Sequence, residues 1–328
     1  MAWVVVKTIM WQKKAAHLRV RWQRCGVHVP PFMIVSITHQ CNLRCSGCYA
    51  QAFHKMNKVE MSTEQLMKLL TEAKELGIVF TLLAGGEPLT RPEVFEICKA
   101  FPEIIFPLFT NGLLIEAGTV RKFKKQRNIV PVLSLEGFEE ETDQRRGDGV
   151  YQQVKQKISM LQQNNIFYGV SLTITSSNLN IVTSERLIKN LIEQGCKLFF
   201  FVEYVPVKDG TENLILSMEQ RSTLLSTLKT YRTSYPALFI AFPGDEEKFG
   251  GCLSAGRGFV HINPEGEVEP CPFAPYSDSS LERSSLKEAL QSEFLQTIRH
   301  NHDELSETSG GCALWEKREW VKSLLPKE

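Results

Sequence analysis

Apolar and amphipathic stretches alternate along the chain from residue 32 to about residue 231. Runs rich in β-branched and aromatic residues predict six strands, at residues 32–38, 78–83, 105–110, 130–135, 167–175 and 197–204. Helical patterns separate them, for example from Ser62, where Gln65 completes a capping box, to Gly77. This alternation implies a parallel sheet with right-handed crossovers, and therefore an α/β fold built as a TIM-like partial (β/α)6 barrel. In such a barrel the chemistry lies at the carboxyl ends of the strands.

Glycine and proline become frequent after about residue 239, and the regular alternation ends there. Residues 259–262 and 267–269 flank an Asn-Pro-Glu-Gly turn and predict a hairpin, and a helix is predicted near 285–300. We therefore expect a core at 31–240 and a small α+β module at 241–328. Residues 1–30 form an arm, in which the alternation at 18–23 predicts a half-buried strand.

Composition is that of a soluble globular protein, since 43% of the 328 residues are hydrophobic and 23% are charged. It excludes wholesale disorder, a coiled coil and a disulfide-rich miniprotein. No apolar run approaches the roughly 20 residues that cross a bilayer, and Lys7 interrupts the initial apolar run too early for a signal peptide. We therefore expect a cytoplasmic protein whose nine cysteines are reduced, metal-bound or catalytic.

Charge is distributed unevenly along the chain. The first acidic residue is Glu60, and nine Lys or Arg residues precede it. Because the net charge of the whole chain is +1, the residues from Glu60 onward have a net charge of −8. A basic segment suits an anionic ligand, an anionic cluster, a membrane surface or nucleic acid, and it is equally typical of a solvated face. Trp3, Trp11 and Trp22 lie among these cations. The arm is accordingly either packed on the barrel or an interfacial element that makes a peripheral membrane contact.

Three cysteines follow the first predicted strand directly, at Cys41, Cys45 and Cys48. A structural zinc site requires four closed ligands, and a disulfide would leave one thiol unpaired. A cubane iron–sulfur cluster held by three thiolates leaves one iron open for chemistry. The pattern favours the cluster.

The spacing C-x3-C-x2-C and the motifs that follow it resemble those of the radical S-adenosylmethionine (SAM) enzymes over residues 31–240. The resemblance implies that a [4Fe–4S] cluster on Cys41, Cys45 and Cys48 chelates SAM and cleaves it reductively to a 5′-deoxyadenosyl radical, which abstracts hydrogen from a substrate. It also implies a flavodoxin- or ferredoxin-type reductant, and no nucleic acid partner is expected. No residue is predicted to act directly on the substrate, so the catalytic side chains are not assigned.

Several motifs at strand ends match the positions at which this family binds SAM. Glu87, in Gly85-Gly86-Glu87-Pro88, is expected to accept from the SAM ammonium, and Arg146 to pair with its carboxylate. The expected SAM contacts are Gly85, Gly86, Glu87, Asn111, Ser134, Glu136, Arg146, Ser171, Tyr204 and Val205. Relatives carry an aromatic residue just before the third cysteine, where this chain has Gly47, so Tyr49 or another aromatic takes that role.

Cys252, Cys271 and Cys312 are the cysteines beyond residue 240, and Gly266 gives the first two the spacing C-x13-G-x4-C. This resembles the start of the auxiliary-cluster modules called SPASM and Twitch, and it implies a second [4Fe–4S] cluster on these three residues. The fourth ligand is an unidentified side chain, Cys25 or the substrate. The alternative is three buried structural cysteines.

The resulting prediction is a radical SAM oxidoreductase whose substrate is an anionic small molecule, a tetrapyrrole, a lipid or a peptide. A non-catalytic iron–sulfur protein for electron transfer or redox sensing is the main alternative. The Gly85-Gly86-Glu87-Pro88 segment favours the enzyme, because an electron carrier has no use for an amino-acid pocket.

Overall fold

The computed structural model describes residues 2–53, 58–305 and 312–326. Its strands are β1 Phe32–Ser36, β2 Phe80–Ala84, β3 Phe106–Thr110, β4 Ile129–Leu135, β5 Gly169–Ile174, β6 Leu198–Glu203, β7 Leu238–Phe242, β8 Phe259–Ile262 and β9 Val268–Glu269. The helices are α1 Ala2–Arg24, α2 Tyr49–Ala52, α3 Thr63–Leu76, α4 Val94–Ala100, α5 Ala117–Lys125, α6 Glu139–Arg146, α7 Val150–Gln163, α8 Leu179–Val182, α9 Glu185–Glu193, α10 Met218–Ser234, α11 Leu286–Ala289, α12 Glu293–His300, α13 Ala313–Glu316 and α14 Arg318–Ser323.

All nine strands belong to one sheet, in the order β7-β6-β5-β4-β3-β2-β1-β8-β9. Neighbours from β7 to β8 are parallel, and β9 pairs antiparallel with β8. The six predicted strands are present, and the partial barrel of the predicted fold class is confirmed. Strand β7 was not predicted.

The sheet has two different faces. Met33, Val35 and Leu83 point outward and are buried beneath residues such as Leu66 and Leu69 of α3. The alternate positions of each strand face the concave side, which we call the lumen. The capping box at Ser62 and the end of α3 at Gly77, whose φ is +92°, are as predicted.

The strand predicted at 18–23 is wrong, because these residues belong to α1. Ala15 is buried, and the positions one turn and two turns later contact the end of α3. The Arg19 Nη1 atom donates to the Gly77 carbonyl at 2.6 Å, and the Trp22 indole donates to the Glu75 carbonyl at 3.4 Å. A spacing of three to four residues is that of a helix, and helical hydrogen bonds satisfy the backbone without a partner strand.

The C-terminal module continues the barrel sheet, since β8 pairs with β1 in the register Phe32↔Phe259. The predicted hairpin is confirmed, and Gly266 occupies its turn at φ +81°, donating to the Asn263 carbonyl at 3.0 Å. The helix predicted at 285–300 is two helices, α11 and α12, because Ser292 starts the second one by accepting from the Leu295 amide. Division of the chain at residues 30 and 240 stays a prediction.

None of the helices in the described part of the chain is long and apolar enough to cross a membrane.

Candidate active site

Cys41, Cys45 and Cys48 lie in one loop, residues 41–48, beyond the carboxyl end of β1 (the cysteine loop). All three are free thiols, and Cys41 is exposed while Cys45 and Cys48 are half-buried. Burial raises the pKa of the Cys45 thiol, and the neighbouring guanidinium groups of Arg146 and Arg145 oppose that rise. The loop therefore presents sulfur donors beside positive charge, which offsets part of the cost of burying a thiolate.

The glycine motif after β2 supports the start of this loop. The Gly86 amide donates to the Thr38 carbonyl and the Glu87 amide to the Gln40 carbonyl, each at 2.7 Å. A Cβ atom on Gly85 would lie 2.5 Å from the Thr38 oxygen, and one on Gly86 would overlap the Gln40 carbonyl. Glycine is thus required at both positions because the backbone of residues 38–40 approaches closely. The sequence predicted that a ligand approaches there.

Glu87 is completely buried and joins the end of β2 to the end of β3. Its carboxylate accepts from the Leu89 amide at 3.0 Å, the Thr110 hydroxyl at 2.8 Å and the Asn111 amide at 2.8 Å. Burial raises its pKa, and these hydrogen bonds together with Arg146 lower it in part. A carboxylate that accepts three bonds retains acceptor capacity for a further donor.

Asn111 reaches from β3 to the cysteine loop. Its Nδ2 atom donates to Asn42 Oδ1 at 2.8 Å and lies 3.9 Å from the Cys41 sulfur, while Oδ1 accepts from the Leu113 amide at 3.0 Å. The predicted residues Glu87 and Asn111 are therefore brought together with the cysteines.

Glu136, at the end of β4, is 1% exposed and forms ion pairs with two arginines of α6. Its Oε1 atom accepts from Arg145 Nη1 at 2.7 Å and from Arg146 Nε at 2.8 Å and Nη2 at 2.5 Å. Arg145 also donates to the Thr173 hydroxyl at 2.9 Å, and its carbonyl accepts from the Ser46 amide of the cysteine loop at 2.8 Å. Sequence reasoning missed Arg145, although it lies next to Arg146 in the same motif.

The remaining predicted contacts lie on the strands across the lumen. Ser134 of β4 and Ser171 of β5 are register partners. Tyr204 and Val205 are buried after β6, and the Tyr204 ring lies against Gly47 of the cysteine loop. Tyr49 turns away, with its ring 5.3 Å from that of Phe273. The aromatic group beside Gly47 is thus Tyr204, which residue spacing alone does not reveal.

Two buried polar atoms near the cysteine loop have no hydrogen-bond partner among the described residues, Glu136 Oε2 and the Tyr204 hydroxyl. Such atoms are costly to bury, so they fit a polar ligand at this position. No three His, Cys, Asp or Glu side chains in the described ranges converge closely enough to hold a single metal ion. Three cysteine thiols in one loop are the donor set expected for iron–sulfur ligation.

The C-terminal cysteines form a second group. Cys252 and Cys271 are buried and Cys312 is half-buried. The Cys271 and Cys312 thiols hydrogen-bond to each other, which lowers the pKa of Cys312 and raises that of Cys271. The Cys252 thiol donates to Ser254 Oγ at 3.2 Å. Cys25 is exposed beyond the end of α1.

A buried carboxyl accompanies this group. Glu246 is 6% exposed. Burial raises the pKa of Cys252, and the charge of Glu246 adds to that rise. Burial raises the pKa of Glu246 itself to about 7. Sequence reasoning did not identify it, because nothing in its local pattern distinguishes it from a surface glutamate. The two other cysteines, Cys98 and Cys196, are buried in the core.

A polar network joins β1 to the hairpin of the module. His261 bonds to Ser36 Oγ at 2.8 Å through Nε2 and to Glu269 Oε2 at 2.7 Å through Nδ1, and Asn263 donates to Glu269 Oε1 at 2.8 Å. All four side chains are buried. This network fixes the module on the barrel, and it was not predicted because its members belong to strands far apart in sequence.

The matches to known protein families agree with this arrangement. The profile of the Radical SAM superfamily matches residues 35–183, and that of SPASM, an iron–sulfur cluster-binding domain, matches residues 252–313. The chain belongs to the radical SAM superfamily and carries a SPASM-type module. It is therefore an enzyme whose cofactors are SAM and [4Fe–4S] clusters.

Two curated relatives are matched over most of their own length. The chain is 25% identical to the AdoMet-dependent heme synthase of Methanosarcina barkeri over 87% of its own length and 89% of that protein. It is 26% identical to the GTP 3′,8-cyclase of Clostridium perfringens over 81% of its length and 87% of that protein. The structure of Streptococcus suis SuiB bound to S-adenosylmethionine has the same fold, with a TM-score of 0.71 and 19% identity over 85% of this chain and 70% of that one.

Proposed function

We propose that Cys41, Cys45 and Cys48 hold the cluster that binds SAM and that the enzyme abstracts a hydrogen atom from its substrate. The observation that carries this proposal is the convergence of three strand ends and helix α6 on the cysteine loop. The Gly85–Glu87 segment supports it, Asn111 contacts its first thiol, Arg145 holds Ser46 and Tyr204 covers Gly47.

When bound, the cluster and SAM supply the 5′-deoxyadenosyl radical. The protein's own residues bind and orient. Glu87 retains acceptor capacity for the SAM ammonium, Arg146 balances its carboxylate, and Glu136 Oε2 and the Tyr204 hydroxyl offer polar contacts to the nucleoside. Ser134, Ser171 and Val205 are proposed as further contacts to SAM.

The test is anaerobic. The reconstituted protein is reduced with dithionite in the presence of SAM, and deoxyadenosine is measured for the wild type, Cys45→Ala and Cys25→Ala. We expect Cys45→Ala to lose deoxyadenosine formation and Cys25→Ala, an exposed cysteine outside the loop, to retain it. Iron binding without deoxyadenosine in the wild type would favour the electron-transfer or redox-sensing alternative.

Cys252, Cys271 and Cys312 are proposed to hold the auxiliary cluster. Their support is the contact between two of the thiols and the burial of all three within or beside the core. A flavodoxin- or ferredoxin-type protein is the proposed reductant, and an oxidoreductase reaction in the cytoplasm is the proposed setting.

An anionic substrate is proposed from the basic arm. Helix α1 exposes four cations, Lys13, Lys14, Arg21 and Arg24. The Val20 residue on the same helix is 51% exposed. This surface also supports a peripheral contact with anionic membranes. Sedimentation with phosphatidylserine vesicles at low salt tests the contact, with Lys13→Glu/Lys14→Glu as the variant and Lys68→Glu on α3 as the control. Equal binding by variant and control would contradict it.

A further inference from the structure

A large cavity opens at the amino ends of the barrel strands. Its volume is about 910 Å³, within the range of small-molecule binding sites. The walls are lumen-facing apolar side chains, among them Phe32, Phe80, Val130, Leu198, Phe200 and Ile240.

This cavity lies at the end of the lumen opposite the cysteine loop. Along β6 the lumen positions are Leu198, Phe200 and Val202, and they lead to Tyr204 at the carboxyl end. At about 3.3 Å per residue, Leu198 and Tyr204 are roughly 20 Å apart along the strand. The lumen thus changes from apolar at one mouth to polar at the candidate SAM site.

Cations line one part of the apolar mouth. They are Lys99, Lys125 and Arg127, and no carboxylate lines the cavity, although Lys99 pairs with Glu96 at 3.4 Å. Lys125 and Arg127 are exposed and have no ion-pair partner within the described ranges. Two large apolar side chains are also left open to water at the mouth, since Phe167 is 52% and Leu238 is 63% exposed.

We propose that this lumen binds a single-chain anionic amphiphile, with its hydrocarbon chain among the apolar walls and its carboxylate or phosphate head group against Lys99, Lys125 and Arg127. A deep apolar cavity accepts a flexible chain, whereas the folded surface of a second protein cannot enter it. The charge of the mouth selects an anionic head group. This site is separate from the proposed SAM chemistry, so it can be tested without SAM.

The test is isothermal titration of the reconstituted protein with decyl, dodecyl and tetradecyl phosphate below their micellar concentrations. Burial of each methylene contributes about 0.8 kcal/mol, so each step of two methylenes should lower Kd about 15-fold until the lumen is full. Dodecyltrimethylammonium, which has the same chain and the opposite charge, should bind at least tenfold more weakly.

Variants locate the site. Lys125→Glu/Arg127→Glu should weaken dodecyl phosphate binding about tenfold at low salt, and Ile240→Trp, which fills the lumen, should abolish it. Lys124→Glu, on the same exposed turn but outside the lining, is the matched control and should have no effect. Because the charge variants alter only surface residues, they remain informative if Ile240→Trp does not fold. A Kd independent of chain length, equal binding of the cationic analogue, or equal loss in the Lys124 control would overturn the proposal.

Discussion

Replacing Glu136 with Gln isolates the electrostatic centre of the candidate site. The substitution preserves shape and removes the carboxylate charge that pairs with Arg145 and Arg146, whose side chains are 19% and 9% exposed. All three of their hydrogen bonds to Glu136 end on Oε1, so both guanidinium groups lose their ionic partner together.

The expected cost follows from the burial of these groups. Removing one partner of a buried ion pair destabilises a protein by about 3–5 kcal/mol, and partial solvation of Arg145 favours the lower end. At about 2.1 cal/mol/K per residue, a chain of 328 residues has an unfolding entropy of about 0.7 kcal/mol/K. We therefore expect Glu136→Gln to lower Tm by about 4–5 °C.

The assay is thermal unfolding of the metal-free protein at pH 7, with Glu185→Gln as the control. Glu185 pairs with Lys189 at 2.6 Å, but both side chains are more than half exposed. The Tm of the Glu185→Gln variant should therefore fall by less than about 1 °C. Equal shifts for the two variants would refute the reasoning, because they would show that burial adds nothing to the pair at Glu136.

Three further outcomes are expected. Gly86→Ala should reduce the iron bound after reconstitution, because the added Cβ would overlap the Gln40 carbonyl. Gly118→Ala on α5 is the control and should keep the full iron content, because its added Cβ would lie 3.9 Å from the Arg121 side chain. Tyr204→Phe should leave the stability of the free protein within about 0.5 kcal/mol, because its hydroxyl has no hydrogen-bond partner among the described residues. If that hydroxyl contacts SAM as proposed, the substitution should weaken SAM binding about 2- to 13-fold in equilibrium dialysis. The pKa of Glu246 is raised to about 7 in the folded protein, so between about pH 4.5 and 7 the native state keeps a proton that the unfolded chain has lost. The free energy of unfolding of the metal-free protein should therefore fall by about 3 kcal/mol as the pH rises through this range. Glu246→Gln should remove that fall in urea titrations at several pH values; a fall that persists in the variant would exclude Glu246 as its cause.

Periodic features were predictable from the sequence. The strands at residues 130–135 and 197–204 and the capped helix from Ser62 to Gly77 each carry a local signal, either a run of apolar residues or a cap. The cysteine spacing and the motifs after each strand placed Glu87, Asn111, Glu136 and Tyr204 at the same sheet edge, because parallel strands bring their carboxyl ends together.

Features that depend on tertiary contacts were not predictable. Alternation at residues 18–23 indicated a strand, and docking of Arg19 and Trp22 on the end of α3 instead selected a helix. The pairing of Arg145 with Glu136 depends on how α6 packs against the end of β4. The burial of Glu246 depends on tertiary packing that its local sequence does not show. The close approach of Gly86 to Gln40 likewise required the folded chain, and it changed the reason why glycine is needed there.

The most direct test of the two-cluster enzyme is an anaerobic iron count combined with a deoxyadenosine assay. We expect about eight irons per chain in the wild type and about four in the Cys252/Cys271/Cys312→Ala variant, with SAM cleavage in the wild type. The Cys41/Cys45/Cys48→Ala variant should retain about four irons and form no deoxyadenosine. Deoxyadenosine formation by that last variant would contradict the central claim, because the cysteine loop would then not be the site of SAM cleavage.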